Sequence, residues 1–112
     1  MIIQFATTDL REACNDDRLA TKKWGAARSK LLRRRLAQMA AARTLAVLLT
    51  TPGRPHPLRG NRLGEYSIDL DGPYRLLFEA LEVRDLKKSS QKSLDPNEVT
   101  AIRVLEIEDT HG

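Results

Sequence analysis

The side chains of this 112-residue chain best suited to chemistry lie between Arg54 and Phe78, where His56 sits among Arg54, Arg59 and Arg62 and ahead of Arg75. Arginine presents planar donors that match a phosphate, and histidine, with an unperturbed pKa of about 6.5, gives or takes a proton near neutral pH. Together they suit holding a phosphate and moving a proton beside it. Asp109 and His111 carry the same proton chemistry and complete the set if the fold brings them to His56 and Arg75. The two histidines stand 55 positions apart, with one cysteine, Cys14, and no close ligand pair, a spacing that does not suit zinc. There is no glycine-rich phosphate cradle and no Ser-His-Asp pattern, so neither metal nor cofactor is expected.

A hairpin must position Arg75. Glu65 to Leu70 and Tyr74 to Ala80 alternate polar and apolar residues around Asp71-Gly72-Pro73. A two-residue turn at Asp71-Gly72 needs a donor at residue 73, which Pro73 lacks, and puts Tyr66, Ile68 and Leu70 on the face of Arg75. A three-residue loop with Leu70 opposite Tyr74 gathers Tyr66, Ile68, Leu70, Tyr74, Leu76 and Phe78 on one face and leaves Arg75 beside Ser67 and Asp69 on the other. That register sends Arg75 to the open face of the sheet.

The flanking segments complete an α+β frame. Ile2 to Phe5 reads as a strand, and Asp9 and Glu12, at capping-box spacing, start a short helix from about Leu10 to Asn15. From Thr21 to Ala42 the steps Leu32, Leu36, Met39 predict one long helix, whose other faces carry Arg28, Lys30, Arg33, Arg34 and Arg35. Thr44 to Leu49 adds a turn before Thr51-Pro52-Gly53 ends it. Leu81 to Glu98, charged and polar, reads as an extended loop, and Val99 to Ile107, apolar on both parities, as a strand with neighbours on both sides. If the extended form persists, Asp109 and His111 share a side. The expected fold is a single domain over residues 1–112: a small antiparallel-rich sheet of N-terminal strand, hairpin and C-terminal strand, packed on two N-terminal helices.

Charge points to an anionic partner. The net charge is +4, but Arg18 to Arg62 holds twelve Lys or Arg and no Asp or Glu, while Leu63 to Gly112 holds six basic and eleven acidic residues. A one-sign segment forgoes i,i+4 pairs and repels itself, and nucleic acid is the commonest partner that repays this. The alternative is a basic face folded against the acidic C-terminal half. With one cysteine, no leader and no run approaching the roughly 20 apolar residues that span a bilayer, the chain is expected to be cytoplasmic, without a membrane partner.

The order strand, short helix, long basic helix, hairpin, strand resembles the HigB branch of the RelE/ParE toxin superfamily. So do His56-Pro57-Leu58-Arg59-Gly60 ahead of the hairpin, Tyr66-Ser67-Ile68, Tyr74-Arg75-Leu76-Leu77-Phe78, and the closing Glu108-Asp109-Thr110-His111. The resemblance implies a ribosome-dependent endoribonuclease that cuts messenger RNA without metal and is neutralised by a cognate helix-turn-helix antitoxin of the HigA kind. It gives Arg75 the charge that develops on the phosphorane, Arg59 a phosphate anchor, and His56 and His111 the acid and base roles, with Asp109 orienting an imidazole or acting as base. Arg54, Arg62, Arg28, Lys30, Arg33 and Arg34 are the remaining RNA contacts. The family usually closes on Asp-Tyr-His; Thr110 stands where the tyrosine would be, so what that ring contributes is missing or supplied elsewhere. No helix-turn-helix pattern is present, which suits the toxin rather than the antitoxin.

Each residue also has a plainer reading. His56 between two prolines is then a loop residue, His111 part of a frayed terminus, and Arg75 a surface charge paired with Asp69 or Glu79. Arg59 and Arg62 join the general basic field, and Tyr66 and Tyr74 belong to the core. On that reading the protein is a binding module of the same fold, one that blocks a target such as gyrase or holds nucleic acid without cutting.

Overall fold

The hairpin forms in the three-residue-loop register. Strands β3 (Glu65–Asp69) and β4 (Tyr74–Glu82) pair Asp69 with Arg75, Ile68 with Leu76, Ser67 with Leu77 and Tyr66 with Phe78. Leu70 N donates to Tyr74 O at 2.9 Å and Tyr74 N to Asp71 O at 3.0 Å, so the turn closes without a donor from Pro73. The computed structural model describes residues 1–82, 85–89 and 94–110, with side chains for all of these except 85–89.

Around the hairpin the sheet runs β2 (His56–Pro57), β3, β4, β6 (Ala101–Asp109), β1 (Ile2–Phe5), with β5 (Asp85–Ser89) also on β4. β1 is parallel to β6 and the other pairings are antiparallel. The expected loop from 81 to 98 is therefore corrected in part: β4 runs on to Glu82 and 85–89 is a strand. A lysine-bearing strand that pairs on one side is how sheets blunt an edge, so its charge does not exclude it from the ladder. Residues 83–84 and 90–93 of that stretch, and His111, lie outside the described residues.

The helices also differ from expectation at their ends. α1 (Thr8–Asn15) starts two residues earlier, because Thr7 Oγ1 accepts from Leu10 N at 3.1 Å, while Asp9 sits in the first turn, where the helix dipole favours its charge. The single helix expected over 21–42 is two. Asp16 Oδ1 accepts from Arg18 N and Leu19 N at 2.9 and 3.3 Å and starts α2 (Asp17–Trp24); Gly25, at φ 86° and ψ 162°, ends it and begins α3 (Ala26–Ala41). The leucine periodicity is blind to this break, since one glycine can turn the chain between two turns of good helix former. One further turn, α4 (Leu45–Leu48), is capped by Thr44. The α-amino group of Met1 donates to the carbonyls of Met39, Ala40 and Ala42, a cation at the negative end of α3.

One sheet face packs on the helices. Tyr66, Ile68, Leu70, Leu76, Phe78, Ile102 and Val104 meet Leu10, Leu32, Met39, Leu45 and Leu48 in one cluster, with the Tyr66 and Phe78 rings stacked at 5.5 Å. Each such side chain contributes about 1.5–3 kcal/mol on burial. Cys14 lies in the same cluster, where burial pushes its thiol up to about 11 against the opposing charge of Lys23, and it packs there as a small apolar side chain. No described helix is long and apolar enough to cross a membrane.

A buried cation ties α3 to the hairpin. Arg35 is 9% exposed; its Nε donates to Asp69 O and its Nη1 to Gln38 Oε1, both at 2.8 Å, and Gln38 Nε2 donates on to Thr51 Oγ1 and Pro52 O. Gly53 completes the knot, at φ 101°, its carbonyl accepting from Asp69 N at 2.7 Å. A Cβ there meets Ile68 Cγ1 at 2.8 Å and Arg35 Cζ at 2.9 Å, whereas a Cβ at Gly25 meets nothing within 4 Å. Gly53→Ala should therefore cost about 3 kcal/mol or more of unfolding free energy, and Gly25→Ala only the backbone strain of about 1–2 kcal/mol. Urea denaturation of both variants checks the difference; equal losses would mean that contact with Arg35 and Ile68 does not matter.

Candidate functional site

The face of the sheet turned away from the helices holds the chemistry-bearing residues, and strand parity decides which of them meet. β6 pairs Arg103 with Glu79 and Val104 with Phe78, but then Glu106 with Leu77, so Leu105 is an extra residue in a bulge. The bulge reverses parity along the rest of β6. Ile102, Val104 and Ile107 can then all face the core, which explains the apolar residues on both parities. Past the bulge Glu108 stands opposite Arg75, and Asp109 stands opposite Tyr74, the strand position on the helix side. Asp109 is thus on the other face from Arg75, and Glu108 takes the place expected of it. Thr110 donates from both N and Oγ1 to Pro73 O, at 3.0 and 2.7 Å, and ties the end of β6 to the hairpin turn.

Arginines and carboxylates alternate across this face. Asp69 receives Arg75 Nη1 on Oδ1 and Arg54 Nε on Oδ2, the latter at 2.6 Å. Arg62, from a 3-10 turn at Gly60–Arg62, donates to Glu65 on β3 at 3.0 and 3.1 Å and to Glu108 on β6 at 3.3 Å. β4 lies between β3 and β6, so the Arg62 guanidinium crosses above β4 and the fully buried Leu77 and Ser67. The hydrogen bond to Glu65, then the charges of Glu65, Glu108 and Glu106, outweigh burial and hold the Arg62 pKa above the ordinary arginine value. One row along, Arg103 Nη1 donates to Glu79 at 2.7 Å. The face expected to be open is largely covered by its own ion pairs.

His56 joins this face because β2 pairs it with Ser67. Its Nδ1 lies 2.8 Å from Arg54 O and its Nε2 3.4 Å from Ser67 Oγ. A carbonyl can only accept, so Nδ1 carries the hydrogen and, in the neutral ring, Nε2 holds the lone pair. The 3.4 Å contact to Ser67 is long for a hydrogen bond and leaves that lone pair weakly engaged. Arg54 itself has φ 50°, a left-handed conformation that is uncommon outside glycine, so strained backbone sets the carbonyl that fixes the tautomer.

Of the basic residues expected on α3, Arg28 turns inward. It donates Nε and Nη2 to Asp71 at 3.0 and 3.3 Å and lies 3.3 Å from the centroid of the Tyr74 ring. The Asp71 hydrogen bond raises its pKa, with desolvation opposing. Arg33 pairs with Asp17 at 2.7 Å on the surface. Lys30, Arg34 and Arg59 are exposed, with no ion pair among the described residues. The sequence pointed to Arg75 beside Asp69 through the hairpin register; it carried no sign of Glu108, hidden by the bulge, or of Arg35, one arginine among several.

No family model and no curated protein matches the sequence. Among solved structures the chain is similar to a YoeB/ParE toxin from Agrobacterium tumefaciens, with a TM-score of 0.62 over 97% of this chain and 98% of that one at 10% identity. Identity that low carries architecture and not chemistry. The chain has the fold of a YoeB/ParE toxin.

Proposed function

We propose that this protein is the toxin of a type II toxin–antitoxin pair, of the HigB kind, and that it cleaves messenger RNA on the ribosome by attack of a 2′-hydroxyl on the adjacent phosphate. The observation that carries this reading is the meeting of His56, Arg54 and Arg75 on one sheet face, with the histidine's Nε2 left as its acceptor. The architecture shared with the Agrobacterium tumefaciens toxin supports it.

In this mechanism the 2′-hydroxyl gives up its proton as it attacks, charge builds on the non-bridging oxygens, and the 5′-oxygen leaves with a proton. Neutral His56, holding its proton on Nδ1, takes one at Nε2; Arg75 meets the charge on the phosphorane. His111 is assigned the complementary acid role, and Asp109, on the opposite face of the sheet from Arg75, takes none at the phosphate. Arg54, which shares Asp69 with Arg75, contacts phosphate beside it, Arg59 holds a flanking phosphate, and Lys30, Arg33 and Arg34 contact RNA more distantly. The partner is a small helix-turn-helix antitoxin of the HigA kind.

A second reading has its own support. Arg62 and Arg75 are both flanked by carboxylates, and Arg28 is committed to Asp71 and Tyr74, which suits a protein of this fold that binds a target without cutting. Induced expression with primer extension of a bulk message separates the two. The nuclease produces new 5′ ends in the wild type, reduced roughly 10²- to 10³-fold in Arg75→Ala, the range for loss of one preorganised donor to a developing charge. His56→Ala and His111→Ala should each lose a further proton-transfer factor of about 10²-fold or more relative to wild type. Growth arrest with intact message would sink the nuclease and leave the binding protein.

Docking through phosphates also predicts salt dependence. Ribosome association should weaken by on the order of 10²-fold or more between 50 and 200 mM salt if several of Arg54, Arg59, Lys30 and Arg34 touch RNA. Sedimentation with ribosomes across that range checks it, and a flat profile removes the basic surface from docking.

A further inference from the structure

The convergence of two guanidiniums on one small anion is the feature of this face that its ion pairs do not by themselves explain. Asp69 accepts Arg75 on one carboxylate oxygen and Arg54 on the other. Two guanidiniums thus share the two oxygens of one carboxylate, while Glu65, and Glu108 opposite Arg75, balance the face as a whole. A phosphodiester also presents two non-bridging oxygens on a single atom, and arginine recognises carboxylate and phosphate with the same donors. We propose that the point where Arg54 and Arg75 converge is a phosphate subsite, occupied in the free protein by the Asp69 side chain, which therefore sets by competition how tightly the site takes a phosphodiester. The proposal rests on the RNA-cleaving reading for its ligand, and adds to it a residue that tempers binding.

The three groups are unequally free to move. The Arg54 side chain is 75% exposed, against 20% for Asp69 and 26% for Arg75. An ion pair with so exposed a partner is worth little, so exchanging it for a phosphate costs little. The Asp69 backbone is clamped from both sides, its N–H given to Gly53 O at 2.7 Å and its carbonyl taken by buried Arg35 at 2.8 Å. The Asp69 main chain is thus held by contacts that do not involve its charge, while the carboxylate, on a rotatable side chain, is free to turn aside from an incoming phosphate. Arg54 swings onto an incoming phosphate, while Arg75, with Glu108 opposite it on β6, turns from Asp69 toward the same anion.

Asp69→Asn tests this, since it removes the charge and keeps the shape and both backbone contacts. The probe is a fluorescein-labelled, fully 2′-O-methylated ten-nucleotide RNA, which binds but has no free 2′-hydroxyl. Asp69→Asn should bind it about tenfold more tightly than wild type, the scale expected when a unit charge a few ångströms away is removed near a surface. Glu12→Gln, an exposed charge on α1, is the control for net charge alone and should change affinity less than twofold. Adding Arg54→Gln to Asp69→Asn should abolish the gain. Asp69→Asn binding no tighter than Glu12→Gln overturns the proposal.

If Asp69→Asn does not fold, the wild type answers instead. In the nitrogen NMR spectrum of the arginine side chains, titrated inorganic pyrophosphate should shift the Nε signals of Arg54 and Arg75 and leave that of Arg28, held by Asp71, in place. Equal shifts at all three overturn it. Cleavage is read separately: a tighter Asp69→Asn that yields no new 5′ ends keeps the subsite and removes the nuclease, and new 5′ ends with unchanged affinity do the reverse.

Discussion

The buried guanidinium of Arg35 is the contact on which the rest of the structure turns. It is an ion under the sheet with no carboxylate partner among the described residues, held by the Asp69 carbonyl and the Gln38 side chain. Burial, and after it the charge of Arg34, lowers its pKa. Burying a charge costs free energy unless its donors are met, so the surrounding backbone is fixed in the arrangement that meets them. Helix α3, the turn at residues 51–54 and strand β3 are joined through this one side chain. Gly53 is required because no side chain fits between Arg35 and Ile68. From Gly53 the chain enters the left-handed Arg54, whose carbonyl sets the His56 tautomer. The geometry of the polar face is thus transmitted from the apolar one.

Electrostatics on that face is internal compensation with a few exceptions. The basic segment from Arg18 to Arg62 does fold in part against the acidic C-terminal half: Arg28 on Asp71, Arg54 on Asp69, Arg62 on Glu65 and Glu108. Partly buried pairs of this kind relieve the self-repulsion that the sequence implies. Lys30, Arg34 and Arg59 keep charge facing solvent, and Arg54, though paired with Asp69, is itself mostly exposed. An anionic ligand meets this surface as a competitor for arginines already engaged, and the looser pairs exchange first.

The bulge at Leu105 shows how one residue changes the make-up of a site. A strand reverses its faces with each added residue, so one extra position moves every side chain beyond it to the opposite side. The core gains Ile107 beside Leu76, and the polar face receives Glu108 in place of Asp109. Thr110, hydrogen-bonded twice to Pro73 O, then fastens the strand end to the hairpin turn.

The sequence by itself determined the hairpin, its register and the side to which Arg75 points, because alternation over residues 65–80 and a proline after Asp71-Gly72 allow one pairing that buries the apolar set. It also determined the α+β class and the helical character of most of residues 8–48, where apolar spacing and capping residues act locally. Only the tertiary structure decided that Gly25 divides the long helix, that residues 85–89 add a strand, that Arg28 and Arg35 turn inward, and that Glu108 stands beside Arg75. Arg28, Arg35 and Glu108 are placed by contacts between residues far apart in the chain, while the break at Gly25 and the strand at 85–89 rest on short-range capping and pairing that apolar spacing does not display. A bulge conserves composition and shifts parity, and an arginine reads the same in the sequence whether it meets solvent, a carboxylate or a buried carbonyl.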